Sequence, residues 1–117
     1  MSLISEQNTF TADVARLINF IHDNGIIISF GECWRPEAMQ RIYFLDGKSK
    51  TMKNSHGDRL AIDLNFFRLV DGEIRLIQTK DELQFIGDYW TGLDAKNVWG
   101  GNWKTIVDCP HFERKVV

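Results

Sequence analysis

Asn54-Ser55-His56-Gly57-Asp58-Arg59-Leu60-Ala61-Ile62-Asp63 and the Leu64-Asn65-Phe66-Phe67-Arg68 that follows form the stretch from which the fold can be read. Between Arg59 and Arg68 the residues alternate. Leu60, Ile62, Leu64 and Phe66 face one way, and Ala61, Asp63 and Asn65 face the other. That period of two is a strand with one buried face, and it puts Asp63 on the polar side. His56 precedes the strand, and Gly57-Asp58 can turn the chain so that the imidazole and the carboxylate converge.

A second histidine arrives in Asp108-Cys109-Pro110-His111-Phe112-Glu113. His56, Asp63 and His111 together make a three-ligand zinc set with one coordination position left for water. An open position is the mark of a catalytic rather than a structural zinc. Asp108, three residues before His111, is a carboxylate able to act as general base beside such a metal. The combination implies a metal-dependent hydrolase. Taken singly, Asp63 reads as an ordinary exposed carboxylate and His56 as a surface imidazole; the joint pattern is what points to a site. His22 falls on the polar side of a helix and is expected to take no part.

Outward from this strand, Asp71-Gly72 signals a hairpin and Glu73 to Ile77 the returning strand. Upstream, Phe10, Val14, Leu17, Ile18 and Ile21 mark one face of a helix, with Asp13, Arg16, Asn19 and Asp23 opposite and Gly25 as its stop. Ile26 to Phe30 reads as a buried strand, and Pro36 suits the first turn of a second helix over Glu37 to Leu45, closed by Asp46-Gly47. Lys48 to Asp58 is a polar loop. Asp81 is expected to cap a third helix carrying Leu83, Phe85, Ile86 and Tyr89 through about Leu93. Trp99-Gly100-Gly101-Asn102-Trp103 reads as an aromatic turn, and His111 to Lys115 as a last short strand. This order predicts an α+β domain with a largely antiparallel sheet.

A chain of 117 residues with 44% apolar content, four Trp and eight Phe can bury one real core, but not two. The net charge of −2 argues against a nucleic-acid partner bound by phosphate neutralisation, and Lys48, Lys50 and Lys53 read as a solvated loop. No run approaches the roughly 18 to 20 apolar residues of a membrane span. Met1 to Asn8 has no signal-peptide pattern, so synthesis in the cytoplasm is expected. Cys33 and Cys109 read as free thiols, with a disulfide, or Cys109 as a fourth zinc ligand, as alternatives.

Four blocks in this order resemble the M15 peptidase family. They are Trp34-Arg35-Pro36 with Gln40 five residues after the arginine, His56 to Asp63, Trp99-Gly100-Gly101, and Asp108 to Glu113. That family contains zinc D-Ala-D-Ala carboxypeptidases and L-alanyl-D-glutamate endopeptidases and shares its fold with the Hedgehog signalling domain; the small phage-type members are especially similar. The resemblance implies a single domain over residues 1–117, a central sheet packed with about three helices, and zinc on His56, Asp63 and His111. It implies Asp108 as base, Arg35 contacting substrate and stabilising the oxyanion, Gln40 orienting substrate or Arg35, and Glu113 supporting a ligand.

The implied substrate is the stem peptide of peptidoglycan, cut beside a D-residue by a monomeric enzyme of the endolysin type that leaves the cell through a holin. A D-Ala-D-Ala carboxypeptidase is the alternative, and a non-catalytic zinc-stabilised binding module the alternative of another class. The presence of both Asp108 and Arg35 argues against the latter, since a structural zinc needs neither. Asn54 and Arg59 depart from the wider family, which carries Ser and Gly there. Asp108 stands where several members have Glu.

Overall fold

The computed structural model describes residues 2–48 and 57–116. Helix α1 (Leu3–Asp23) leads to β1 (Ile27–Phe30) and α2 (Glu37–Leu45), then to the hairpin β2 (Ala61–Val70) and β3 (Glu73–Ile77). Helix α3 (Lys80–Leu93), β4 (Asn97–Trp99), a 3₁₀ turn over Gly100–Asn102 and β5 (His111–Arg114) complete the chain. Among the described residues all strand pairings are antiparallel, and the five strands form one sheet. The domain is α+β, as the element order predicts.

The long strand β2 organises the sheet. Along one edge it pairs with β1; along the other its first half pairs with β5 and its second half with β3. Its alternation sends Leu60, Ile62, Leu64 and Phe66 into the core, where α1 and α3 cover them with Phe10, Leu17, Ile21, Leu83, Ile86 and Trp90. Aromatic rings tie the layers together: Phe10 meets Trp90 edge-on at 5.8 Å, and Phe112 meets both Trp90 and Phe66 at 6.0 Å. Asp63 and Asn65 emerge on the opposite face, half-buried.

Several local expectations are corrected. Helix α1 starts much earlier than its apolar stripe indicates, because the Ser2 side chain caps it by accepting from the Ser5 backbone N–H. Thr79, not Asp81, caps α3: its hydroxyl oxygen accepts from the Glu82 backbone N–H and its O–H donates to the Glu82 carboxylate at 2.7 Å. Pro36 is extended and precedes α2 as its cap residue instead of lying in the first turn. Strand β1 is mostly exposed rather than buried, since it forms a sheet edge and Phe30 remains 68% accessible. The 3-residue strand β4 had no periodic signal long enough to read.

The main correction concerns charge. Asp13, assigned to the polar side of α1, is buried, and its Oδ2 accepts from Asn97 Nδ2 at 3.1 Å. Nearby, buried Glu6 binds Arg114 Nε at 2.6 Å and Lys96 Nζ at 3.2 Å, while Arg114 Nη1 pairs with Asp94 Oδ2 at 2.9 Å. These contacts join the first helix to the last strand across almost the whole chain. The hydrogen bond from Arg114 holds the Glu6 carboxyl below its ordinary value of 4.5, outweighing burial, which raises it, and Lys96 adds to the lowering.

A depressed folded pKa stabilises the fold above pH 4.5, and that contribution is lost as pH falls through the lower folded value. Glu6→Gln removes this titration. Its urea midpoint should therefore fall less steeply below pH 4.5 than the parent's; parallel curves would contradict the ion pair's role. Phe112→Ala, which empties the meeting point of three rings, should cost about 3–5 kcal/mol by urea unfolding. A loss below about 1 kcal/mol would show that the core closes around the gap.

Candidate active site

Strand register builds the centre of the site. Asp63 on β2 lies directly opposite His111 on β5, so both side chains leave the same face of the sheet. His111 Nδ1 is 3.4 Å from Asp63 Oδ1, and His111 Nε2 is 2.6 Å from Glu113 Oε1. Glu113 shares the face with His111 because the two are separated by one strand period. Asp63 Oδ1 is shielded from solvent, as is the His111 ring.

Two close approaches make room for this. Gly31 donates to the Asp63 carbonyl at 2.8 Å, and a Cβ at Gly31 would lie 3.0 Å from the Asp63 Cβ. The Asp63 N–H in turn donates to the Glu32 carbonyl at 2.8 Å, which brings the loop after β1 alongside. At the other side, a Cβ on Gly100 would stand 2.3 Å from the Asp108 carbonyl oxygen and 2.9 Å from the His111 Cβ. Only glycine lets the chain pass there, and the Gly100 carbonyl then accepts the Asp108 N–H at 3.0 Å. Trp99, fully buried, anchors the same loop by donating from its indole to the Cys109 carbonyl at 2.8 Å.

Asp108 and His111 are therefore held together by a short backbone turn, with the His111 N–H donating to the Asp108 carbonyl at 3.1 Å. A cavity of about 250 Å³ opens beside Asp108, between β3 and residues 107–110, with Asn65, Leu76, Lys80 and Val107 on its walls. Trp103, noted in the sequence only as part of a turn, sets its ring 4.9 Å from the His111 ring.

Arg35 is the most constrained cation of the site. Its Nε and Nη2 both reach Glu32 Oε1, at 2.6 and 2.5 Å, and its Nη1 donates to Gln40 Oε1 at 2.6 Å. The guanidinium also lies 4.7 Å from the centre of the Tyr43 ring. Gln40 is only 1% accessible and meets the Arg35 guanidinium from the buried side of α2. Glu32 and Tyr43 escaped sequence reading because a single loop carboxylate and a single helix aromatic carry no period.

Arg59 has φ 57°, in the left-handed region that favours glycine. Such a conformation costs of order 1–2 kcal/mol for a side chain with a Cβ. The guanidinium lies 4.9 Å from the centre of the Trp34 ring, and an exposed contact of this kind returns only about 0.5–1 kcal/mol. His56, Asn54 and Ser55 lie outside the described residues, as does most of the loop expected over Lys48 to Asp58.

The donors present fit a zinc ion. Two ligands on one tetrahedral ion, with bonds of about 2.0–2.2 Å, stand about 3.4 Å apart. That is the spacing of His111 Nδ1 and Asp63 Oδ1, and Glu113 occupies the other imidazole nitrogen as carboxylates behind zinc-bound histidines do. Among the described residues no group of three ligands assembles. Cys109 does not supply one: its side chain packs in the core cluster, and burial, reinforced by Asp108, raises its thiol pKa. Cys33 is exposed and both cysteines are free, so the alternative of a disulfide is excluded.

The comparisons with known proteins agree with this architecture. Residues 47–114, more than half of the chain, match the M15 peptidase family model described as D-alanyl-D-alanine carboxypeptidase, and the chain belongs to that family. It is similar to the crystal structure of Serratia marcescens L-Ala D-Glu endopeptidase ChiX, with a TM-score of 0.66 and 26% identity. That match covers 89% of this chain and 79% of the other. A search among curated proteins found no match. The chain is thus a peptidase by family, and no helix among its described residues is long and apolar enough to cross a membrane.

Burial alone would lower the His111 pKa, but the hydrogen bonds that the ring donates to Asp63 and Glu113, together with the charges of those carboxylates, raise it to about 9 from 6.5. In metal-free protein the protonated ring therefore stabilises the fold fully below pH 6.5, and this is lost as pH rises through about 9. NMR titration of the metal-free protein should place the His111 midpoint near 9, and Glu113→Gln should lower it. A parent midpoint at or below 6.5 would contradict the two-carboxylate environment.

Proposed function

We propose that this protein is a zinc-dependent peptidoglycan peptidase that cuts the stem peptide beside a D-amino acid, acting as an L-alanyl-D-glutamate endopeptidase. The observation that carries the reading is the Asp63–His111 pair at zinc-ligand spacing, backed by Glu113 and flanked by Asp108. Family membership supports peptidase chemistry, and the likeness to the Serratia marcescens endopeptidase supports the choice of bond. The family model's own description favours the second reading, D-Ala-D-Ala carboxypeptidase.

In this reading His56, Asp63 and His111 would hold zinc, which when bound supplies Lewis-acid activation of water and of the scissile carbonyl. Glu113 holds the His111 Nε2 side, leaving Nδ1 toward Asp63. Asp108 would take a proton from the attacking water and return it to the leaving amine. It is one methylene shorter than glutamate, so the Gly100 contact that brings its backbone close to His111 suits the role. Arg35, already fixed by Glu32 and Gln40, would meet the oxyanion without reorganising. The similarity to small phage-type members extends the proposal to an endolysin that works as a monomer and reaches the wall through a holin.

Mass analysis of digested muropeptides should show new L-alanine and D-glutamate ends, abolished by chelator and restored by zinc. Release of terminal D-alanine alone would favour the carboxypeptidase reading. Asp108→Ala should lower kcat by roughly 10²–10⁴-fold while zinc content stays that of the parent. Asp63→Ala and His111→Ala should instead lose zinc on dialysis. Near-normal hydrolysis by metal-replete Asp108→Ala would falsify the base assignment.

A further inference from the structure

We propose that Arg59 is a positioning residue which, by stacking on Trp34, holds the loop that carries Arg35; the link to catalysis rests on the peptidase reading above. Arg59 occupies the turn just before β2 and adopts a backbone conformation that favours glycine. Its strain is not repaid by burial, since the residue is exposed and lies outside the core. What the side chain does gain is the face of Trp34, 4.9 Å from the ring centre. Trp34 is itself 47% accessible and no part of the core cluster, so the pair contributes little to folding.

Its location gives the contact another use. The loop after β1 leaves the sheet at Glu32, whose carbonyl accepts the Asp63 N–H, and the next helical hydrogen bonds accept at Pro36. Trp34 and Arg35 lie between these two anchors. Glu32 and Gln40 fix the guanidinium end of Arg35, and Arg59 fixes its neighbour from the β2 side. The clasp thus spans the two segments between which Arg35 and Asp63 must keep their relation. In a turn conformation that glycine would adopt without strain, this chain accepts a strained backbone in exchange for a side chain that reaches across.

Because strain and contact oppose each other, stability and function should move in opposite directions. Arg59→Gly should melt at the parent's temperature or above it. Yet amide exchange at Cys33, Trp34 and Arg35 should quicken while α1 and α3 exchange as before. In zinc-replete protein kcat on muropeptides should fall roughly tenfold, with KM little changed. Arg59→Lys, which keeps a cation but not the planar stack, should recover part of the loss. Trp34→Ala should match Arg59→Gly, and the double variant should be no worse than either. Unchanged exchange at residues 33–35 in Arg59→Gly would overturn the clasp, and so would faster exchange with parental kcat. A parent that cleaves no muropeptide with zinc present would count against the peptidase reading instead, and the exchange data would then decide the clasp alone.

Discussion

The register of β5 against β2 is the constraint on which the rest depends. Pairing Asp63 with His111 puts both on the outer face, and a slip of one residue would turn His111 into the core and Phe112 out of it. The register is secured at both ends of the short pairing. The Leu64 N–H donates to the Pro110 carbonyl at 2.9 Å, and the Arg114 N–H donates to the Leu60 carbonyl at 2.8 Å. Phe112, wholly buried among Phe66, Trp90 and Trp99, locks the alternation from the core side. Arg114, bound to Glu6 and Asp94, fixes the strand's far end to α1 and to the turn after α3.

Chemistry and packing thus occupy alternate residues of the same strand. His111 and Glu113 serve the site, while Phe112 and Arg114 serve the fold. This economy has an energetic side. The outer face draws two carboxylates around a buried imidazole, which in metal-free protein is satisfied by protonation of the ring. An arrangement that holds a proton this firmly presents the negative charge and the nitrogen donor that a divalent cation needs. On the opposite side of the site the order is reversed, with the Arg35 cation held by the Glu32 carboxylate and a buried amide.

Much of this was legible from residue order. The alternation from Leu60 to Phe66 identified the core face and the emergence of Asp63, and Asp71-Gly72 marked the hairpin, where Asp71 and Gly72 both have positive φ. The family resemblance, rather than residue order, offered Gln40 as a partner of substrate or of Arg35, and its Oε1 meets Arg35 at 2.6 Å. Less legible were groups whose partners are remote. Asp13 looked like surface because a partner from another element, Asn97, helps to make its burial tolerable, with Arg16 on its other oxygen. Glu6 and Arg114 carried no signal as a pair, being 108 residues apart. Trp103 acquired meaning only when the 3₁₀ turn carried it to the His111 ring.

The sequence by itself determined which residues could do chemistry and on which side of each element they stand, because strand and helix periods are local properties. It also determined that a glycine-rich turn lies between Trp99 and Trp103. Tertiary structure decided what those residues meet. Asp63 and His111 face each other only through antiparallel register, Glu32 reaches Arg35 only where the loop leaves the sheet, and Arg59 finds Trp34 only across two segments distant in the chain. Contacts of that kind depend on distances in space that no spacing along the chain encodes.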